Sequence, residues 1–337
     1  MATPFASVSK SSQRAGVGIQ TALQMFSTCP SSVTGPDGYL RRISEVARWS
    51  EEAGCTGMLV CADHLMADPW LISQIVIQRT ESLCPLVAVR PAHMHPYSVA
   101  KAVSTLAFLH GRRVFLNILA GGFKNDVPGP GDRTPQDAKY ERLVEYTQII
   151  QQLLNGRGPL TFDGNFYNMT DLTLRPPLAP EMRPGILISG STEAGMAAAR
   201  ETGAIAVQYP EPPRLDNSKS TRNSGRYGVR VGIITRPREE DAWVEALARF
   251  PESREGRLDR QFAAKASDSR DTYWVHPFEN YQTSCPYLVG SYQNVADEVA
   301  RYAANGYHTF ILDIPPAREE FEHIGRVFQA ASRKASL

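Results

Sequence analysis

Eight short apolar runs, each ended by a turn, constrain this 337-residue chain more than any other feature. They fall at 18–25, 57–61, 86–89, 114–119, 185–188, 204–208, 227–235 and 309–313. Helical periodicity lies between them, at 37–53, 70–78, 97–109 and 136–154, and again at about 318–332. In 37–53, Leu40, Ile43, Val46 and Ala47 share one face and Gly54 stops the helix; in 136–154, Leu143, Ile150 and Leu154 recur at helical spacing. Strands separated by helices of this length pair in parallel as βαβ units. Eight such units in one chain favour an α/β fold of the closed (β/α)8 TIM-barrel type over an open doubly wound sheet. No glycine-rich dinucleotide fingerprint follows the first strand, because Gly16-Val17-Gly18 precedes it.

Two segments interrupt the rhythm. Residues 155–184 read as a hairpin insertion, with Leu160-Thr161-Phe162 and Phe166-Tyr167-Asn168 flanking an Asp163-Gly164 turn. Residues 251–285 are polar, mixed in charge and weakly patterned, which predicts a lid-like loop over the barrel mouth. Residues 1–17 are Ser-rich, lack an apolar signal core and read as a flexible tail, so that 18–337 form a single barrel domain. A net charge of +1 gives no electrostatic reason to bind nucleic acid or an acidic membrane surface. The five cysteines (Cys29, Cys55, Cys61, Cys84 and Cys285) are odd in number and never spaced as CxxC. That pattern fits reduced thiols in a cytoplasmic protein and argues against a disulfide framework or a structural zinc site. No apolar run is long enough to span a bilayer.

Barrel chemistry belongs at the C-terminal ends of the strands. Those ends carry Asp63 and His64, then Arg90, His93 and His95, then Asn117, Ala120 and Gly121. Ser189-Gly190-Ser191-Thr192 follow the fifth strand, Tyr209 and Glu211 the sixth; Arg230 lies within the seventh and Asp313 ends the eighth. The set is rich in cations and donors and lacks a nucleophile paired with a base. Its most informative member is the Ser-Gly-Ser-Thr junction, which runs into an Ala-rich helix closed by Gly203. The first N–H groups of a helix have no intrahelical partner and the macrodipole is positive there, so the junction suits a phosphate. It equally suits an ordinary N-cap formed by Ser191 or Thr192. His93 and His95, at i and i+2, with Asp313 would form a metal site in a hydrolase reading; histidines bonded to carbonyls are the plainer alternative.

With these pieces in order, the chain resembles the bacterial-luciferase-like flavin monooxygenases, most nearly their alkanesulfonate monooxygenase branch. The resemblance runs from about 18 to 330. It is carried by Ala53-Gly54-Cys55-Thr56-Gly57, Leu86-Val87-Ala88-Val89-Arg90-Pro91 and Gly111-Arg112-Arg113-Val114-Phe115-Leu116-Asn117. Tyr39-Leu40, Lys139-Tyr140-Glu141-Arg142 with Glu145-Tyr146-Thr147-Gln148, Ser189-Gly190-Ser191-Thr192, Tyr209 to Pro213 and Tyr227-Gly228-Val229-Arg230 complete it. The resemblance implies a (β/α)8 barrel that binds FMN as FMNH2, delivered by a separate NAD(P)H:flavin reductase. Reaction with O2 would give a C4a-(hydro)peroxyflavin that oxygenates a small-molecule substrate. It places the phosphate at Ser189, Gly190, Ser191 and Thr192 with Tyr140, and the isoalloxazine beside Asn117 and the backbone near Ala120. It also implies a homodimer or homotetramer.

The chain departs from the sulfonate branch on the substrate side. Met66 stands where that branch has a cysteine, Gly232 where it has a histidine, Pro315 where it has a tyrosine, and Ser31 and Ser32 near its N-terminal histidine. Arg230 remains as the candidate to hold an anionic group, and His64 and His95 are the candidate proton donors. These replacements point away from a simple alkanesulfonate and toward a larger, less anionic substrate, such as a specialised-metabolite intermediate. An F420-dependent oxidoreductase of the same fold, working by hydride transfer, is the alternative within this architecture.

Overall fold

The computed structural model describes residues 22–31, 35–63, 66–121, 134–210, 226–251 and 272–335. In chain order its elements are β1 (Gln24–Thr28), α1 (Pro36–Glu52), β2 (Gly57–Val60), α2 (Pro69–Arg79), β3 (Cys84–Val89), α3 (Pro96–His110) and β4 (Phe115–Leu119). Then come α4 (Gln136–Asn155), β5 (Leu160–Asp163), β6 (Asn168–Leu172), β7 (Ile186–Ser189), α5 (Glu193–Thr202), β8 (Ile205–Gln208), β9 (Tyr227–Arg236) and α6 (Glu239–Arg249). The chain continues through β10 (Tyr273–Trp274), α7 (His276–Glu279), β11 (Tyr287–Ser291), α8 (Tyr292–Ala304), β12 (Tyr307–Leu312) and α9 (Arg318–Ala335). Strands β1, β2, β3, β4, β7, β8, β9 and β12 pair in parallel in that order, and β12 returns to β1. This is the expected closed (β/α)8 barrel.

Alternation along the strands fills both sides of the wall. Phe26, Leu59, Leu86, Phe115, Leu187, Ile205 and Ile311 point inward and form the barrel core, with Phe26 and Phe115 edge-to-face at 5.1 Å. The residues between them point outward to the helices. Met58 and Phe310 meet Ile43, Val46, Val327 and Phe328, while Leu116 and Ile118 meet Val99, Val103, Leu143 and Ile150.

The first strand lies at Gln24–Thr28, later than the expected 18–25, of which 18–21 fall outside the described residues. Two small polar residues hide it from an apolar-run reading. Ser27 is buried against the Ser50 hydroxyl, and Thr28 donates to the Leu312 carbonyl at 2.5 Å. Satisfied locally, these hydroxyls cost little to bury.

The 155–184 segment does contain an antiparallel hairpin, β5 on β6, but its second arm begins at Asn168, opposite Asp163. The connection therefore spans 164–167 rather than a tight Asp-Gly turn. The Glu145 carboxylate on α4 explains the wider loop, accepting bonds from the Asn165 and Phe166 N–H groups at 2.8 and 3.0 Å.

Strand β9 is ten residues long, and its two halves belong to different structures. Tyr227 to Val231 close the barrel; Gly232 to Arg236 pair in parallel with β11, which takes the edge that β8 leaves free. Antiparallel β10 extends this annex, and α6 packs on it through Trp243 and Ala246. Of the expected 251–285 lid, 252–271 lie outside the described residues. Residues 272–285 instead form part of the annex, tied to the barrel rim by the Tyr273 hydroxyl on the Pro210 carbonyl (3.0 Å) and by Phe278 against Tyr209. The expected tail, 1–17, lies outside the described residues. No described helix is long and apolar enough to cross a membrane.

Candidate active site

The inward alternation that builds the core from apolar residues ends, at the C-terminal rim, in polar ones. Ser189, Tyr209 and Arg230 border an open cavity with Arg90, Asn117, Leu119, Gly121 and Tyr140. Its volume is about 250 Å³, just under the ~300–1,000 Å³ of small-molecule and cofactor sites.

One end of the cavity is a donor cradle. Thr192 is the N-cap of α5: its Oγ1 accepts from the Gly195 N–H at 3.2 Å and donates to the Tyr140 phenol oxygen at 3.0 Å. Tyr140 therefore keeps its own proton for an acceptor in the cavity. Ser191 Oγ accepts from the Tyr209 N–H at 3.2 Å, which likewise leaves its hydroxyl proton available. The Glu193 and Ala194 N–H groups open the helix, ahead of the bond from the Met196 N–H to the Thr192 carbonyl at 3.0 Å. The backbone approaches closely here because it is glycine: a Cβ on Gly190 would stand 3.2 Å from the Tyr140 hydroxyl, and one on Gly195 would stand 2.9 Å from the Gly190 carbonyl. The Thr192 hydroxyl is thereby spent on the cap and on Tyr140, and the donors left to the cavity are Tyr140, Ser191 and the first amides of α5.

Beside the cradle, Asn117 is buried on β4, and its Oδ1 accepts from Ser189 Oγ at 2.7 Å. Its amide protons are left for other acceptors. Ala120, by contrast, packs with Leu143 and Ile150 in the outer core, and Leu119 and Gly121 on either side border the cavity.

The other end is cationic. Arg90 is within 3.9 Å of Asp63. Arg230 donates to Ser284 Oγ at 3.0 Å; Ser284 donates to Asp313 Oδ1 at 3.2 Å, and Tyr287 donates to Asp313 Oδ2 at 2.7 Å. Burial works against the Arg230 cation, but Cys61, Cys285, Tyr209 and Asp313 outweigh it and raise its pKa. Burial, and then the Asp313 carboxylate, push the Tyr287 phenol well up, so it stands as a donor. Ser284 and Tyr287 are site residues that sequence reasoning missed. They come from outside the barrel strands and act on the site through Arg230 and Asp313.

The histidines are placed differently. His95 is exposed at the N-cap of α3, where its Nδ1 accepts from the Tyr97 N–H at 3.3 Å and its ring meets Tyr167 edge-on at 5.7 Å. Its role there is that of a cap, and it does not border the cavity. His93 is also exposed, in the β3–α3 connection. Asp313 is engaged by Ser284 and Tyr287, and among the described residues no three His, Cys, Asp or Glu side chains gather as metal ligands. His64 and Glu211 lie outside the described residues.

A family model described as luciferase-like monooxygenase matches residues 21–309. A curated relative, the 4-(gamma-L-glutamylamino)butanoyl-[BtrI acyl-carrier protein] monooxygenase BtrO of Niallia circulans, is 29% identical over 319 residues, covering 88% of this chain and 93% of its own. Among solved structures, EDTA monooxygenase from Chelativorans sp. BNC1 superposes with a TM-score of 0.68 at 12% identity, over 94% of this chain and 95% of its own. An F420-dependent secondary alcohol dehydrogenase, in complex with an F420-acetone adduct, superposes at 0.64 and 17% identity, over 92% and 99%. At such identities the structural matches speak to the fold.

Proposed function

The chain belongs to the luciferase-like monooxygenase family and is an oxidoreductase of that kind, and on this premise we propose that it is the FMN-dependent oxygenase of a two-component system. A separate NAD(P)H:flavin reductase would supply FMNH2. Reduced FMN, when bound, supplies the electrons with which dioxygen is divided between an oxygenated product and water.

The observation that carries this reading is the convergence of the Tyr140, Ser191 and Thr192 hydroxyls on the first turn of α5, beside a glycine that a Cβ would crowd. The chemistry of that donor set fits a terminal phosphate: neutral donors, a helix N-terminus and room for the backbone to approach. Asn117 would border the flavin ring, as would the backbone near Ala120. Arg230 would hold a substrate anion or steady the negative charge that develops on oxygen during transfer. The annex wall of β10 and β11 would limit access of water from that side.

Gly232 removes a side chain from the substrate face, so a short alkanesulfonate is not the proposed substrate. The curated relative acts on an acyl chain held by a carrier protein. For this chain we propose a substrate larger than a short sulfonate and less anionic. Reconstitution with a flavin reductase, NADH, FMN and ¹⁸O₂ tests the reading on a panel of acyl derivatives and alkanesulfonates. One ¹⁸O atom should appear in an acyl product, and efficient desulfonation of short sulfonates would refute the substrate claim. The likeness to an F420-dependent dehydrogenase motivates a second reading, hydride transfer with a deazaflavin. Titration with FMN and with F420 separates the two.

A further inference from the structure

Gly232 follows Gly228 and Arg230 along the inward face of β9 and brings no side chain of its own to the mouth. Its register partner on β11 is Tyr287, whose ring lies across it. A Cβ on Gly232 would fall 2.3–2.4 Å from three atoms of that ring. The ring is buried and packs edge-on against Phe250 at 5.2 Å. Such an aromatic cover over a strand glycine also fixes where the hydroxyl points. Here it points to Asp313 Oδ2, at 2.7 Å.

We propose that Tyr287 is a positioning residue for Arg230: by holding Asp313 from the far side, its phenol keeps the carboxylate from pairing directly with the guanidinium, whose charge stays directed into the cavity. The use made of that charge rests on the oxygenase reading; the positioning itself does not. Asp313 has both oxygens engaged, Oδ1 by Ser284 and Oδ2 by Tyr287. The Ser284 hydroxyl bridges it to Arg230. A partly buried carboxylate that loses one donor is left with an unmet acceptor, and the guanidinium, already linked to it through Ser284, is a strong donor. Direct carboxylate–guanidinium pairs are short and often bidentate, and such a pair would cancel much of the field that an anion in the cavity feels. Removing the phenol while keeping the ring should therefore let the two charges close on each other.

The Cys61 thiol, at the end of β2, reports this without any flavin. Burial raises its pKa, Arg230 lowers it by charge and hydrogen bond, Asp313 raises it, and Arg90, itself beside Asp63, lowers it. Iodoacetamide alkylation of the flavin-free protein across pH, followed at Cys61 by peptide mass spectrometry, reads that balance. Tyr287→Phe should move the Cys61 profile to higher pH and slow alkylation at a fixed pH by about threefold, the equivalent of roughly half a pKa unit. Asp313→Asn should speed it. Adding Tyr287→Phe to Asp313→Asn should then change nothing further, since the carboxylate that the phenol restrains is gone. Should the Phe variant yield too little folded protein, Tyr287→Met, which also releases Asp313, carries the same expectation. An unmoved Cys61 profile, or an equal effect of the Phe substitution in both backgrounds, overturns the proposal. FMN affinity, measured in parallel, tests the oxygenase reading separately, because Tyr287 does not border the phosphate end.

Discussion

Gly232→Ala places one methyl group where the Tyr287 ring lies, and its cost can be worked from the geometry. The new carbon would sit 2.3 Å from the nearest ring atom, against about 3.5–4.0 Å for carbon atoms in contact. The ring must withdraw by about 1 Å or more, and the 2.7 Å bond from its hydroxyl to Asp313 goes with it. Overpacking costs ~1–3 kcal/mol, and losing a hydrogen bond to a charged group costs ~1.5–3 kcal/mol. The reduced freedom of the unfolded chain returns ~0.4–1 kcal/mol. A net destabilisation of about 1.5–5.5 kcal/mol is expected, read as a lower urea midpoint at unchanged slope by far-UV circular dichroism. The partner substitution sharpens the test. Tyr287→Ala should cost about 3–5 kcal/mol as a large buried deletion, but Gly232→Ala added to it should cost nothing more, because the clashing ring is absent. If Gly232→Ala is as stable as the parent, or if its cost persists without the ring, the placement of Tyr287 over Gly232 is wrong.

Three further outcomes follow from other parts of the molecule. Thr192→Ala should lose ~1 kcal/mol of stability as a lost N-cap and weaken FMN binding, while Thr192→Ser should retain both; fluorescence titration and urea melts check this. His95→Asn should keep helix α3 capped and leave turnover near the parent level, because His95 serves as a cap outside the cavity; a large fall in kcat in the reconstituted assay would restore it as a proton donor. Glu320 is only 5% exposed and lies between Arg236 at 2.5 Å and Arg249 at 3.1 Å. Burial acts to raise its pKa, but the two guanidiniums outweigh burial and hold it below the usual range. Its contribution is therefore present above the unfolded carboxylate pKa and is lost as pH falls through the lower folded value. Glu320→Gln should cost about 3–5 kcal/mol at neutral pH and less in acid, as a pH series of urea midpoints would show.

Much of this fold is legible because a barrel strand declares itself twice, by a short apolar run and by the helix that follows. The strand-end rule then brings Ser189, Tyr209, Arg230 and Asp313 to one rim from the sequence alone. The annex is harder to read. Residues 227–235 look like a single barrel strand, and only their length hints that the second half pairs elsewhere. Tyr287-Leu288-Val289 is a short apolar run with no turn signal linking it to β9, so its partner is a matter of tertiary packing. Ser284 and Tyr287 are invisible as site residues for the same reason. His95 misleads in the opposite direction: it has the chemistry of a proton donor, but Pro96 directly after it marks a helix start, which is the plainer signal.

If the hydroxyls and amides opening α5 grip a phosphate, riboflavin, which is FMN without that group, should bind less well. Equilibrium titration of the protein with both ligands, by quenching of flavin fluorescence, should show FMN binding at least about tenfold more tightly, a difference of roughly 1.4 kcal/mol. Tyr140→Phe combined with Ser191→Ala should erase most of that preference while leaving riboflavin affinity unchanged. Equal affinity of the parent protein for FMN and riboflavin would contradict the account.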